Sequence, residues 1–485
     1  MKPYRNVAVA ILLASASTCA TAYAADDAAT VQKNLQAYLG SEPGVITVAP
    51  AGDDLQITLD VMPYLKKANV PDTKISMTPV VMTAHANGDG TWEIKSSSIL
   101  GLDVQSPAAT ILYKMQAFDW TGTFDEELRG FTKSHAVMSN VNVDETISGP
   151  NSGVKTKIAY AIGKYAADTV ATKRDAGVAD VVSSVAAEDI KGTWSAEGGN
   201  PAMPGGSFSA GKVSAQANGT GLRQRAIMDL LAWFVTHPNK DAIIKDQVDL
   251  KKSLSATLPF FESMNVSESF EGLSVQSPMG PVTAQSAKVG LDMAGLTKDG
   301  HIGESIELSG LGIPPGLAPP WATDLVPTAT SLGFSASGFD ADAPARIFID
   351  KMDLVQNPPI SPDLSPVLMA AAMPNGTINI TLPTTTITAP AYSISMTGGI
   401  EMTMLGPKGG KLDIKMKGLE AVAAKLQEAA LSDPQAAQAM VAITAAKGMA
   451  KAETDGTSSW AIVYSADGKV SVNGLDLGAI APPAQ

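Results

Sequence analysis

The chain of 485 residues holds one cysteine, Cys19, and four histidines, His85, His135, His237 and His301. A lone cysteine excludes an internal disulfide framework, so stability has to come from packing, which a chain of this length can supply. No two histidines are close enough in sequence to form a metal-binding helix or loop pattern. Each stands near a turn or helix end, where a solvated or structural side chain is the ordinary role. No G-x-S-x-G elbow presents a serine, and Ser152–Lys155 and Ser209–Lys212 have Ser-x-x-Lys spacing without the companion motifs of penicillin-interacting enzymes. Gly409-Gly410-Lys411 has the residue types of a phosphate loop but neither its spacing nor a following Ser or Thr, and reads as a turn. Asp340 and Asp342 read as a loop before a helix rather than a sugar-cleaving acid–base pair. No catalytic, cofactor-binding or metal-binding residue is assigned, and no cofactor is expected.

Basic charge is also scarce, with 35 Lys and Arg against 48 Asp and Glu and a net charge of -13. Such a surface repels nucleic acid and anionic headgroups, which excludes both as default partners. Past the N-terminus no run of eighteen apolar residues exists to cross a membrane as a helix. Aromatics make up only 5 % of the chain. That scarcity, with the helical segments below, argues against an outer-membrane barrel and its aromatic girdles.

The N-terminus itself is distinctive. Lys2 and Arg5 precede an apolar run, Val7 to Ala14, and small residues ending in Ala22-Tyr23-Ala24. This is the tripartite pattern of a secretory signal peptide over residues 1–24, with cleavage expected after Ala24. Ala16-Ser17-Thr18 before Cys19 match a lipoprotein signal poorly. Cleavage would remove the only cysteine and leave 33 basic against 48 acidic residues, a net charge of -15. The expected product is a soluble, cysteine-free periplasmic protein with no membrane-spanning segment.

Periodicity predicts an α+β fold: mainly antiparallel β-sheet of alternating amphipathic strands, internally duplicated, with a few amphipathic helices packed on the sheets. Val31, Leu35 and Leu39 recur at helical spacing before a capping Gly40. Alternation then predicts strands at Ile46–Val48, Leu55–Leu59 and Ile75–Met77. Asn87-Gly88-Asp89-Gly90 is a turn into a strand at Trp92, and it lacks the acidic spacing of a calcium loop. Leu222, Ala226, Leu230 and Phe234 predict a helical face that stops near His237-Pro238, with Ile244, Val248 and Leu254 continuing a second stretch. Leu419, Val422 and Leu426 start an Ala-rich helix, and Asp433-Pro434 caps another through Met440 and Ile443, an antiparallel pair on a sheet. Strands follow from Ile378–Leu382, Ile394–Met404 and Leu412–Met416, and a terminal hairpin from Trp460–Tyr464 through Asp467-Gly468 to Val470–Val472. Proline clusters at Pro314–Pro327 and Pro358–Pro366 read as linkers. The implied organisation is 1–24 signal peptide, 25–200 an N-terminal β-rich unit, 201–330 a helix and second β-rich unit, 331–366 a proline-rich connection, and 367–485 a C-terminal β unit with the helix pair.

One phrase repeats. Gly101-Leu102-Asp103-Val104-Gln105-Ser106-Pro107 returns as Gly272-Leu273-Ser274-Val275-Gln276-Ser277-Pro278, six of seven positions being identical. It reads as one strand–turn–strand block used twice, with Val104 and Val275 equivalent. Shorter echoes, such as Gly290-Leu291-Asp292-Met293 and Gly474-Leu475-Asp476-Leu477, share only the common vocabulary of strands and turns.

Pro320-Trp321 through Leu325-Val326-Pro327, the Gly406-Pro407-Lys408-Gly409-Gly410 turn, and Val470-Ser471-Val472-Asn473-Gly474-Leu475 together resemble an uncharacterised family of exported Gram-negative proteins, domain of unknown function 2125. The resemblance spans residues 310–478 and implies secretion and β-rich architecture without an assigned chemistry.

The expected function is a non-catalytic periplasmic envelope protein. Its amphipathic sheets would bind an apolar or lipid-like ligand, or serve as a scaffold for an envelope protein. Met396, Met402, Met404 and Met416 suit an adaptable apolar surface and equally a core. The alternative is a secreted hydrolase with dispersed active-site residues.

Overall fold

The computed structural model describes residues 28–68, 72–148, 154–175, 177–198 and 205–479. The segment read as a signal peptide with its expected cleavage site, and Ser152, lie outside them. The described residues divide into two compact units: unit 1 takes in the chain through Val266 together with Ala345–Pro362, and unit 2 holds Ser267–Pro344 and Asp363 onward.

Unit 1 opens with helix α1 (Ala28–Leu39), which buries Val31, Leu35 and Leu39, the spacing read from sequence. Gly40 ends it with φ +84, and a Cβ there would stand 2.1 Å from Tyr64 Oη, whose hydroxyl donates to the Leu39 carbonyl at 2.7 Å. Strands β1 (Ile46–Ala51) and β2 (Asp54–Leu59), the short helix α2 (Met62–Ala68), and strands β3 (Lys74–Met77), β4 (Val80–Ala86), β5 (Thr91–Ser98), β6 (Gly101–Gln105), β7 (Ala109–Lys114) and β8 (Ala117–Asp125) follow. Then come four long strands, β9 (Gly130–Ser148), β10 (Lys155–Asp175), β11 (Val178–Glu197) and β12 (Gly205–Leu222). Pairing is antiparallel throughout, in the order β1-β2-β4-β5-β8-β9-β10-β11-β12. A second branch, β3-β6-β7, joins the other half of β9.

The register along the long strands skips one residue on each: Asn140, Gly163, Asp189 and Gly211 have no cross-strand partner in an otherwise regular ladder. Asn140 and Asp189 are left-handed, with φ 50 and 56. Between them, Gly163 leaves room that a side chain would lose, since a Cβ there would lie 3.0 Å from Asp189 Cβ. These aligned interruptions, called bulges below, leave the register unchanged on either side but reset which residues point to which face, so that Met138 and Val141 pack together.

Three helices follow β12 in unit 1, α3 (Gln224–Thr236), α4 (Lys240–Lys245) and α5 (Gln247–Thr257). Here the predicted apolar faces need correction. Leu222 is still paired with Ala179 in the sheet, and Phe234 is 41 % exposed. At 3.6 residues per turn a four-residue step drifts by about 40°, which carries Phe234 round from Leu230 toward the exposed side of the helix. In the second stretch Val248 is 76 % exposed and Leu250 carries the burial, packing with Leu230 and Met352.

Unit 2 contains β13 (Ser263–Ser277, from its fifth residue), β14 (Gly280–Ala294), β15 (Gly300–Ser309), β16 (Ala329–Phe339), helices α6 (Asp342–Lys351, its first three residues) and α7 (Ser365–Ala372), then β17 (Ile378–Ala389), β18 (Tyr392–Thr403) and β19 (Gly406–Lys417). Helices α8 (Leu419–Ala429) and α9 (Pro434–Met449) precede β20 (Lys451–Ala452), β21 (Ser458–Tyr464), β22 (Lys469–Val472) and β23 (Leu475–Ala479). Strands β14 to β19 pair in sequence order, and β21, β22 and β23 extend the ladder from β19. Asp433 caps α9 by accepting from Gln435 N at 2.8 Å. Glu420 near the start of α8 pairs with Lys447 near the end of α9 at 2.6 Å, which fixes the helices as antiparallel. Leu419, Val422 and Leu426 pack with Met416, Trp460 and Val472, so the pair lies on the sheet as expected.

The proline clusters form more structure than linkers do. Pro320–Leu325 is a 3-10 helix whose Trp321 donates to Asp433 at 2.8 Å and packs on the helix-pair cluster. Pro362–Leu364 forms another, and Pro366 sits in the first turn of α7, where proline has no helical donor to lose. The turn expected at Gly406–Gly410 falls at Met404-Leu405 instead, and Gly409-Gly410-Lys411 lies within β19. Both copies of the repeated phrase are strand followed by a turn at the proline. Their surroundings differ: Val104 is half-buried in a five-residue strand between β3 and β7. Val275 is 43 % exposed in a fifteen-residue strand where Gly272 has φ +63. What recurs is the strand-to-turn step rather than a whole unit.

Candidate functional site

None of the four histidines stands alone. Each meets an aspartate: His85 with Asp54 at 2.7 Å, His135 with Asp168 at 2.7 Å, His237 with Asp246 at 3.1 Å and His301 with Asp292 at 2.8 Å. His237 also bonds to the Trp233 carbonyl and stacks on its indole, with ring centroids 3.8 Å apart. These are structural pairs dispersed over the molecule. Among the described residues no group of three His, Cys, Asp or Glu side chains converges to hold a metal. Asp340 accepts from Ala343 N at 2.9 Å at the entrance to α6, and Ser209 and Lys212 lie in β12. Of the four methionines, Met416 is core and Met404 is 53 % exposed at the β18–β19 turn.

The concave feature is a cavity of ≈ 540 Å³ in unit 1, within the range of small-molecule sites. Leu39 of α1, Met82 of β4, Trp120 of β8, Met138 of β9, Tyr165 of β10 and Leu222 of β12 stand on its walls, and none of the lining side chains carries a charge. Register explains the arrangement. Ser96, Trp120, Ala136 and Ala167 are successive cross-strand partners on β5, β8, β9 and β10, and cross-strand partners share a face. The next row is Phe118, Met138 and Tyr165. Gly122 lets two wall residues meet: a Cβ there would come within 2.8 Å of the Trp120 ring, and its absence lets Trp120 meet Phe131 edge to face at 4.8 Å.

The polar atoms on the walls are largely occupied by the protein. Ser96 Oγ donates to the Val81 carbonyl at 2.8 Å, and Thr169 and Ser183 share a hydrogen bond at 3.0 Å. Burial pushes the Tyr165 hydroxyl above its ordinary value, so it stays neutral at physiological pH. The arrangement can surround an apolar group, and no acidic, basic or thiol side chain lines it.

Two shallower hollows lie in unit 2. One of ≈ 580 Å³ is bordered by Glu401, Lys408 and Lys411, and another of ≈ 330 Å³ lies over Ile380, Leu382, Leu412 and Ile462 with Lys411 on its edge. Both rest on glycine-rich strand backbone and carry charge, which leaves the unit 1 cavity as the candidate.

The match to a known family lies mostly in unit 2. Residues 272–481 match the family described as an uncharacterized protein conserved in bacteria, DUF2125. The match bears out the resemblance read from Pro320–Pro327, Gly406–Gly410 and Val470–Leu475, and reaches further upstream. The matched region takes in the end of β13, β14 through β23 and the helix pair, and it does not include the cavity, whose walls come from residues 39 to 224. No curated protein and no solved structure matches the chain. Among the described residues no helix is long and apolar enough to cross a membrane.

Sequence reasoning missed the cavity. The signal was the alternation Ser134, Ala136, Met138 on β9 and Tyr165, Ala167, Thr169 on β10, small and apolar residues on one face of strands too long for a half-exposed hairpin.

Proposed function

We propose that the protein is a non-catalytic component of the periplasm that binds an apolar or lipid-like ligand in the unit 1 cavity. The observation that carries this reading is a half-open concavity of ≈ 540 Å³ whose walls bear no charge. Burying apolar ligand surface against such walls is favourable at about 25 cal/mol per Å² before the costs of association. The DUF2125 match brings no chemistry, so support comes from the site and the N-terminal pattern. The test is native mass spectrometry of protein purified from the envelope of the cells that make it. A lipid-mass adduct extractable into organic solvent is expected, with less of it in Ala167→Phe, which fills the cavity without adding charge. Absence of any adduct, with equal binding of an apolar fluorescent probe by both proteins, would leave a scaffold for another envelope protein. Export has its own test. The mature chain should begin at Ala25, and intact Met1 in a membrane pellet would overturn the periplasmic assignment.

A further inference from the structure

We infer that the ligand is a long-chain amphiphile whose hydrocarbon tail leaves the cavity and runs along the inner face of β9–β12, across the line of bulges. This rests on the reading of the cavity as an apolar-ligand site and extends it to a chain length.

Plain alternation continued past the bulges would spoil the face. Counting on from Met138 would bring Asn142 and Asp144 inward, and counting on from Ala187 would bring Lys191. The skipped residues Asn140, Gly163, Asp189 and Gly211 prevent this on all four strands together. The inward row after the skip is Val141, Ile162, Ile190 and Ala210, and Val141 packs in one cluster with Met138 and Phe118 from the cavity side. The following row runs Leu102, Tyr113, Val143, Tyr160, Gly192, Phe208. It begins at Met77, itself a wall of the cavity, so face and cavity are continuous. The Phe208 ring covers Gly192 and stacks with Trp194 at 6.5 Å.

Charges collect on the other face. Lys164, Glu188 and Lys212 are register partners there, and Lys157 pairs with Glu197 at 2.7 Å. The paired rows of the inner face from Ala167 to Tyr160 carry no charge, over seven residue steps or about 23 Å at strand rise. The next row carries Glu145 between Ile111 and Ile158 and ends the apolar stretch.

The occupant follows from this shape. Ladder pairing consumes the backbone hydrogen bonds, so the face offers a peptide little to bond. A helix about 10 Å across would not enter a cavity of ≈ 540 Å³. A single acyl chain is slender enough, and the ~15 Å it takes in one leaflet, half of a ~30 Å bilayer core, fits within the track.

Monoacylglycerols with octanoyl, lauroyl and palmitoyl chains test this, because their neutral headgroup keeps the acidic protein from repelling them. Displacement of a fluorescent apolar probe from the full mature protein should show affinity rising by about fourfold per added methylene, up to palmitoyl. Ile190→Ser, beyond the bulges, should weaken palmitoyl binding by about tenfold or more and leave octanoyl binding unchanged. Phe208→Ala should act in the same direction, and retained octanoyl binding shows that either variant is folded. An affinity that levels off after octanoyl, or variants that weaken all three chains equally, would overturn the track and keep the cavity. Failure of every chain to bind would overturn the cavity reading as well.

Discussion

Leu426 and Phe234 show how far a residue's type determines its contribution. Both stand at helical spacing among other apolar residues, yet Leu426 is 3 % exposed and Phe234 is 41 % exposed. Leu426→Ala should cost about 2–5 kcal/mol, the range for removing a buried leucine. Phe234→Ala should stay within about 0.5 kcal/mol, as surface substitutions do. Urea denaturation of the two variants beside the parent checks this, and equal losses would mean that the face read from sequence is the buried one after all. The histidines repeat the lesson. Their scattering excluded a sequence-local metal motif, but only the folded chain shows each one held by an aspartate.

At the scale of elements, the helix pair and the bulged strands respond to different tests. The Asp433 carboxyl is held below its ordinary value of 3.8, first by the Trp321 indole and then by the Gln435 amide. A carboxyl depressed in the folded state contributes stability that is present above the unfolded value and is lost as pH falls through the folded one. Thermal melts from neutral pH down through this window should therefore fall less steeply for Asp433→Asn than for the parent, and parallel curves would refute the linkage. For the bulges, Asn140 has φ 50. Asn140→Val should lose about 1–2 kcal/mol to the left-handed backbone, whereas Asn140→Gly should not. Chemical denaturation separates the two, and an unaffected valine variant would show that the bulge is not held in that conformation. The helix pair was readable in advance because its signals are local: a cap, a proline at the first position and leucines within one or two turns. The bulge line was not, since a skipped residue is defined only by partners on neighbouring strands.

For the whole molecule, charge is the property carried directly by composition. With a net charge of -13 and an isoelectric point near 4.8, solubility should pass through a minimum around pH 4.8, measurable as turbidity. A minimum well away from that value would mean that bound ligand or partner alters the net charge. The antiparallel β-rich class, the first helix, the C-terminal hairpin and the likeness to DUF2125 were all legible in the sequence, because period-two and period-3.6 patterns and turn residues act over a few positions. Tertiary structure alone decided where the apolar surface gathers. Leu39, Met82, Trp120, Tyr165 and Leu222 are far apart in the chain, and they meet because antiparallel register stacks their strands and an aligned skip at Asn140, Gly163, Asp189 and Gly211 keeps one face apolar. Alternation along a single strand cannot encode that, since which face a residue occupies depends on the hydrogen bonds its neighbours leave unmade.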